Sequence, residues 1–218
     1  MKTYKYILFD LDGTLTDSGT GITNSVIYAL KKFNITVSDK TELHKFIGPP
    51  LWESFENFYG FSKEQSQTAV SYYREYYKEK GMLENEVYPG IIGLLDRLKE
   101  KGKTLAVATS KPTVFARQIL EHFDIAKYFS YVAGGTLDGS RVNKNDVIAH
   151  ALEECKIKNL PEVVMIGDRK HDIIGAKQIG IDSIGVLYGY GSRYEQEAAG
   201  ADYIVETADD ILTLLSHP

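Results

Sequence analysis

Two aspartates, Asp10 and Asp12, lie two positions apart directly after a short apolar segment, and Gly13 follows them. If the backbone stays extended through this segment, side chains two residues apart point to the same side. An adjacent pair of carboxylates is costly unless a cation or a shared proton relieves the repulsion. Gly13 permits a tight turn and lets backbone amides approach an anion. The segment therefore predicts a site that combines acid chemistry with anion binding.

Thr109 and Ser110 follow a second apolar run, at the predicted junction of a strand and a helix. At such a junction the Thr109 hydroxyl and the backbone amides after it could hold phosphate oxygens. A threonine or serine in front of a helix is more often a simple N-cap, so this segment alone indicates no particular function. Pro112 suits the first turn of the predicted helix.

Asp168 and Asp172 follow another apolar run and are separated by one helical turn. Carboxylates that converge from separate strand ends form a site for a hard cation such as Mg²⁺. Lys144 precedes a helix predicted over residues 146–154, where a lone lysine is normally a solvated surface charge. For Arg141, a second cation in this segment, substrate contact and simple exposure are equally compatible with the sequence.

The elements that must position these side chains are short apolar runs, each of which stops at polar or glycine residues. Continuous runs of this kind suit strands that are buried on both faces, as in a parallel sheet. Apolar residues at helical spacing separate them, which predicts an α/β fold with right-handed crossovers. The predicted strands are residues 6–9, 105–108, 163–166 and 183–186, with weaker candidates at 131–133 and 203–205.

The stretch from about residue 18 to residue 86 breaks this alternation, because its apolar residues recur at helical spacing and none of its segments has the pattern of a strand. We therefore predict an α/β core formed by residues 1–16 and 88–218, with an inserted helical cap at residues 17–87. Either Asp17 or Ser18 is expected to cap the first helix of this insertion.

Composition excludes several classes of protein. The chain has 218 residues with 43% hydrophobic and 25% charged residues, which is ordinary for a globular protein. A net charge of -5 argues against a nucleic-acid partner, and no apolar run is long enough to span a membrane. One cysteine and no signal-peptide pattern favour a cytoplasmic location.

The segment from Asp10 to Leu15 resembles the first motif of the haloacid dehalogenase-like phosphatases. The resemblance implies a Rossmann-like parallel-sheet core with an inserted all-helical cap domain. It also implies that Asp10 attacks phosphorus to form an aspartyl-phosphate. Asp12 would then serve as acid for the leaving group and as base for water.

The other three segments follow in the order of that family's remaining motifs. By resemblance, Thr109 binds the phosphoryl group with help from the Ser110 amide. Lys144 neutralises the nucleophile and the phosphate. Asp168 joins the Asp10 side chain and the Asp12 backbone carbonyl as a ligand of Mg²⁺, the implied cofactor, while Asp172 acts behind these ligands or through water.

Within the family, the sequence looks most similar to phosphoglycolate phosphatases, on the segments 123–129 and 47–51. The predicted substrate is a small phosphorylated metabolite, with phosphoglycolate as the best guess and a nucleotide, pyrophosphate or a sugar phosphate as alternatives. Asp12 argues against a dehalogenase, and the lack of histidine in residues 21–24 weakens a sugar phosphomutase. A phospho-ligand sensor without turnover stays open, as does a monomeric or homodimeric state.

Overall fold

The computed structural model describes residues 2–216, and the chain divides into two compact units. One unit combines the chain up to Thr16 with the chain from Val87 onward, and the other spans Asp17–Glu86. The strands are β1 (Tyr6–Phe9), β2 (Thr16–Asp17), β3 (Glu86–Val87), β4 (Thr104–Pro112), β5 (Phe129–Gly135), β6 (Val163–Gly167), β7 (Asp182–Val186) and β8 (Tyr203–Val205).

Within the described residues, six strands form one sheet in the order β5-β4-β1-β6-β7-β8, while β2 and β3 pair as a separate two-stranded sheet. The strand pairs of the large sheet are parallel. Strand β1 lies between β4 and β6, with Phe9 level with Val107 on one side and with Ile166 on the other. This arrangement confirms the predicted α/β fold with a parallel-sheet core.

Helices connect the strands of the sheet, as a parallel pairing requires. The described α-helices are α1 (Gly19–Lys32), α2 (Leu51–Tyr59), α3 (Lys63–Tyr76), α4 (Ile91–Glu100), α5 (Thr113–His122), α6 (Lys144–Glu154), α7 (Lys170–Ile179), α8 (Arg193–Ala199) and α9 (Ala208–Ser216). Among the residues that the structure covers, no helix has the length and apolar character that crossing a membrane demands.

The apolar runs that were predicted as strands are buried in the sheet. Every residue of β6 is buried, and in β1 only Tyr6 is partly exposed. One face of the sheet packs against α6 and α7 in a continuous apolar cluster. The buried members of this cluster are Leu8, Ala106, Ala108, Ala133, Val147, Ile148, Ala151, Leu152, Ile157, Val163, Met165, Ala176 and Ile181.

The unit Asp17–Glu86 contains α1, α2 and α3, together with a 3₁₀ segment at Lys40–Phe46 and a π-helical turn at Tyr77–Gly81. The start of α3 carries a capping box, in which the side chains of Ser62 and Gln65 each accept a hydrogen bond from the other residue's backbone. Gly60 ends α2 in the left-handed conformation that glycine adopts at low cost.

Two local expectations were wrong. Pro112 is not in the first turn of a helix, because β4 continues to it and α5 begins at Thr113. The helix predicted over residues 146–154 begins two residues earlier, at Lys144. Of the two residues expected to cap α1, Ser18 makes no side-chain capping bond, whereas the Asp17 carboxylate accepts a hydrogen bond from the Gly19 amide at 3.2 Å, so the alternative at Asp17 is confirmed.

Gly21 in α1 has no room for a side chain. A Cβ atom there would lie 1.8 Å from the carbonyl oxygen of Gly81, in the π-helical turn. We expect Gly21→Ala to lower the free energy of unfolding by about 2 kcal/mol or more, since backbone must move to relieve the clash. Urea unfolding at fixed magnesium concentration measures this change.

Gly93 offers a matched control, because it also lies inside a helix but has nothing within 4 Å of its Cβ position. Gly93→Ala should leave stability unchanged or raise it by up to about 1 kcal/mol, since alanine favours a helix over glycine. Equal effects of the two substitutions would show that the close approach of Gly21 to Gly81 is not a packing constraint.

Candidate active site

The site is built at the carboxyl ends of the central strands, where open α/β sheets place their ligands. Asp10 follows β1 directly, and its backbone amide donates to the Ile166 carbonyl of β6 at 2.9 Å. Its side chain is buried, with the residue only 4% exposed. The position of β1 between β4 and β6 therefore brings the Asp10 carboxylate close to Thr109 of β4 and to the aspartates that follow β6.

Lys144 supplies the positive charge beside Asp10. Its ammonium lies 2.9 Å from Asp10 Oδ1 and 2.8 Å from Asp172 Oδ1, and it donates to the Ala108 carbonyl at 3.1 Å. A side chain at Gly175 of α7 would come within 2.9 Å of Lys144 Cβ and Cγ. Glycine at that position therefore lets α6 and α7 pack closely enough to hold the lysine stem in place.

Asp168 follows β6 and is fully buried. Its Oδ2 atom accepts a hydrogen bond from the Tyr190 amide at 2.8 Å, and its backbone carbonyl accepts one from Gln196 Nε2 at 2.9 Å. A Cβ atom at Gly189 would lie 2.4 Å from Asp168 Cβ, and one at Gly13 would lie 2.3 Å from Asp168 Oδ2. The loop after β7 is thus part of the site, a contribution that the sequence analysis missed.

Three carboxylates form a group that fits a hard divalent cation. One oxygen each of Asp10, Asp168 and Asp172 lies within 4.8 Å of the other two, and all three residues are buried. Among the described residues, the ammonium that pairs with this group is that of Lys144. Buried carboxylates that outnumber their cations are the donor set that Mg²⁺ would stabilise.

The pKa values of these groups also reflect the excess of buried carboxylates over cations. Burial raises the pKa of Asp10 to about 6, with Lys144 opposing this shift and Asp172 adding to it. Burial, and then repulsion from Asp172 and Asp10, raises the pKa of Asp168 well above its usual range. Burial alone would lower the pKa of Lys144, but its attraction to Asp10 and Asp172 raises the pKa overall.

Asp12 does not share the surroundings of Asp10. Its Oδ2 atom lies 2.8 Å from the ammonium of Lys111, while its Oδ1 atom is buried without a hydrogen-bond partner among the described residues. Strand β1 ends at Phe9, and a turn follows in which the Gly13 amide donates to the Thr16 carbonyl. Each of the two carboxylates pairs with its own lysine.

Lys111 was not predicted as a site residue, although it directly follows Thr109 and Ser110. Thr109 Oγ1 accepts a hydrogen bond from the Lys111 amide at 3.3 Å and also hydrogen-bonds to Asp10, which favours the charged carboxylate. The pairing of β4 with β5 shifts register between Thr109 and Pro112. Ser110 therefore lies in irregular extended backbone, and its amide is not at a helix N-terminus as predicted.

Asp172 and Arg141, the remaining predicted residues, make different contacts. Asp172 accepts a hydrogen bond from the Arg169 amide at 3.1 Å besides pairing with Lys144, so it orients the lysine from the start of α7. Arg141 directs its Nε atom to the Gly134 carbonyl at 3.1 Å. The structure thus brings Asp10, Lys144, Asp168 and Asp172 together and engages Arg141 with the backbone.

Comparison with known proteins gives a family match along most of the chain. The family described as haloacid dehalogenase-like hydrolase matches residues 7–186, which include the charged residues of the site but not the loop after β7. Among solved structures, a predicted phosphatase from Clostridium acetobutylicum superposes with a TM-score of 0.95 at 53% identity, covering 98% of each chain.

Curated relatives carry different names. A protein from Pseudomonas aeruginosa named 5'-nucleotidase is 47% identical over 89% of this chain and 88% of its own length. A protein from Mycobacterium tuberculosis named Tyrosine-protein kinase PtkA is 41% identical over 95% of this chain and 67% of its own length. A phosphoglycolate phosphatase from Colwellia psychrerythraea is 30% identical over 99% of this chain and 98% of its own length.

The metal-free protein should lose stability as the pH rises through about 6, the folded-state pKa of Asp10, which compares with roughly 3.9 in an unfolded chain. A raised folded-state pKa contributes stability that is present below the unfolded value and is lost as the pH rises through the folded value. The expected loss from Asp10 between about pH 5 and about pH 7.5 is about 1 kcal/mol, to be measured by urea unfolding in EDTA at these two pH values.

Asp10→Asn should weaken this pH dependence and raise the stability of the metal-free protein at the higher pH, since the buried charge is gone. Asp124→Asn is the control, because that carboxylate is exposed and pairs with Lys127 away from the site. A wild-type pH profile in Asp10→Asn would contradict the argument that burial of this charge limits stability.

Proposed function

The chain belongs to the haloacid dehalogenase-like hydrolases, and we propose that it is a magnesium-dependent phosphatase that acts through an aspartyl-phosphate on Asp10. Membership confirms the predicted family and the prediction of a hydrolytic enzyme. The observation that carries the proposal is the pair Asp10 and Asp12, two buried carboxylates held by different lysines. Neighbouring carboxylates in different environments can divide the roles of nucleophile and proton carrier.

Phosphoryl transfer requires little of the protein beyond positioning and charge stabilisation. A bound Mg²⁺ would be held by Asp10, Asp168 and the backbone carbonyl of Asp12, and would stabilise the charge that develops on the phosphoryl oxygens. Lys144 lies 2.9 Å from Asp10 Oδ1 and reduces the repulsion between this carboxylate and an anionic phosphate. Thr109 supports the same carboxylate and offers a hydroxyl to the phosphoryl group.

In the first step, a carboxylate oxygen of Asp10 forms a bond to phosphorus while the bond from phosphorus to the ester oxygen breaks. Asp12 delivers a proton to the departing oxygen, so the product leaves as an alcohol. In the second step, Asp12 takes a proton from water, which attacks phosphorus and breaks the bond to Asp10. The Asp12 Oδ1 atom, which is buried without a hydrogen-bond partner among the described residues, is the oxygen available for both transfers.

The substrate is a small phosphorylated metabolite in this proposal, and two identities have support. Phosphoglycolate is supported by the relative with that activity in its name, at 30% identity. A nucleoside monophosphate is the second candidate, supported by the 47% identity to the protein named 5'-nucleotidase. Both reactions use the same groups in this chain and differ in the alcohol that departs.

Asp10→Asn should reduce phosphate release at least ~10³-fold, since the attacking carboxylate oxygen is replaced by an amide. The measurement is phosphate release from p-nitrophenyl phosphate and from a panel of phosphorylated metabolites in the presence of magnesium. Asp124→Asn is again the control and should retain full activity. Near-wild-type turnover by Asp10→Asn would disprove the role of Asp10 as nucleophile.

Asp12→Asn should accumulate a covalent phosphoenzyme on p-nitrophenyl phosphate, because nitrophenolate departs without a proton but the second step lacks its base. Intact-protein mass spectrometry after an acid quench would detect one added phosphoryl group. The double variant with Asp10→Asn should show none. A rapid second step without accumulation would argue against Asp12 as the base.

Removal of magnesium by EDTA should abolish activity, and added magnesium should restore it. Asp168→Asn should reduce activity at least ~10²-fold and should also eliminate the rise in unfolding temperature that magnesium gives the wild-type protein. The second readout separates a lost metal ligand from a lost catalytic group. Full activity of the wild-type protein in EDTA would contradict the metal dependence.

A further inference from the structure

A second buried lysine, Lys111, lies close to the acid-base carboxylate. Its ammonium is 2.8 Å from Asp12 Oδ2, and its side chain is only 6% exposed. A buried ammonium is stable only where an anion or several acceptors compensate its charge. The ammonium of Lys111 is therefore buried within the site and not hydrated at the surface.

The two oxygens of Asp12 have different surroundings. Oδ2 is occupied by Lys111, while Oδ1 is buried without a hydrogen-bond partner among the described residues. A proton carrier must come within about 2.6–3.2 Å of the oxygen that it protonates. An ester oxygen hydrogen-bonded to Oδ1 would therefore be separated from the Lys111 ammonium only by the carboxylate group of Asp12. Both would lie on the side of phosphorus from which the alcohol departs.

Lys144 has a different position. It lies 2.9 Å from the nucleophile Asp10 and 2.8 Å from Asp172, so its charge is shared between two carboxylates on the attacking side. Lys111 pairs with Asp12, which acts on the departing side. Lys144 thus lies on the side of the attacking oxygen, and Lys111 lies on the side of the departing oxygen.

We propose that Lys111 binds an anionic group carried by the departing alcohol and so determines which phosphate esters are preferred. This inference rests on the proposed function, in which Asp12 acts on the leaving group. A carboxylate or second phosphate close to the ester oxygen would be within reach of the ammonium and would form a charge-assisted hydrogen bond. A neutral alcohol, such as a nucleoside, would leave that bond unmade.

The test compares pairs of substrates that differ in this charge. Phosphoglycolate carries a carboxylate beside the ester, whereas hydroxyethyl phosphate has a neutral hydroxyl in its place. Pyrophosphate supplies the anion as a phosphate, and adenosine monophosphate supplies a neutral nucleoside. The readout is kcat/KM for each substrate and, above all, the ratio of phosphoglycolate to hydroxyethyl phosphate.

The wild-type ratio should be roughly 10 to 100, the value of one hydrogen bond to a charged group. Lys111→Met should bring the ratio close to one, and Lys111→Arg should keep most of it. Any general damage to Asp12 affects both esters alike and cancels in the ratio. Lys127→Met, a change in an exposed surface pair, should leave both rates unchanged.

A ratio that is the same in the wild type and in Lys111→Met would overturn the proposal, as would a wild-type ratio near one. The second result needs no variant, so it stands even if Lys111→Met fails to fold. In either case turnover of p-nitrophenyl phosphate would show that the phosphatase itself is intact. Failure to hydrolyse any phosphomonoester would instead refute the proposed function, and the role of Lys111 with it.

The two anionic substrates identify the chemistry that Lys111 accepts. A preference for phosphoglycolate that is lost in Lys111→Met assigns a carboxylate partner, and the same pattern for pyrophosphate assigns a phosphate. A preference for adenosine monophosphate that survives Lys111→Met would overturn the proposal in favour of a neutral leaving group.

Discussion

The burial of three carboxylates around the ammonium of Lys144 is the interaction on which the rest of the site depends. Among the described residues, Asp10, Asp168 and Asp172 have oxygens within 4.8 Å of one another, and Lys144 pairs with two of them. Negative charge in such excess is unstable in a protein interior unless another cation joins it. The polypeptide must therefore hold these groups together against their own repulsion.

The surrounding structure supplies that restraint through close packing at glycines. Side chains at Gly13 and Gly189 would overlap Asp168, and one at Gly175 would overlap the stem of Lys144. These contacts bring two loops and the middle of α7 against the charged groups without space for movement. Because the interior is close-packed, restraint of this kind fixes the positions of the side chains more firmly than the hydrogen bonds alone.

The sequence could predict the sheet and the main charged residues, because both depend on short local patterns. The segment Tyr6–Phe9 was predicted with its observed bounds, since a buried parallel strand is a continuous apolar run. The contacts of Asp168 with Tyr190 and Gln196 could not be predicted, because they join residues that only the folded sheet brings together. The different lysine partners of Asp10 and Asp12 could not be predicted for a related reason, since Lys144 begins α6 and Lys111 lies in β4, far from both aspartates in the sequence.

The separate lysines of Asp10 and Asp12 indicate where selectivity is to be sought. Lys111 belongs to β4 of the parallel-sheet unit and pairs with Asp12, the carboxylate that we propose acts on the leaving group. A cation so close to the chemistry contributes to binding in the ground state and in the transition state alike, unless the charge of the leaving group grows as the bond breaks. Selectivity for an anionic alcohol would then be expressed in kcat/KM. Its source, Lys111, lies on the same strand as Thr109.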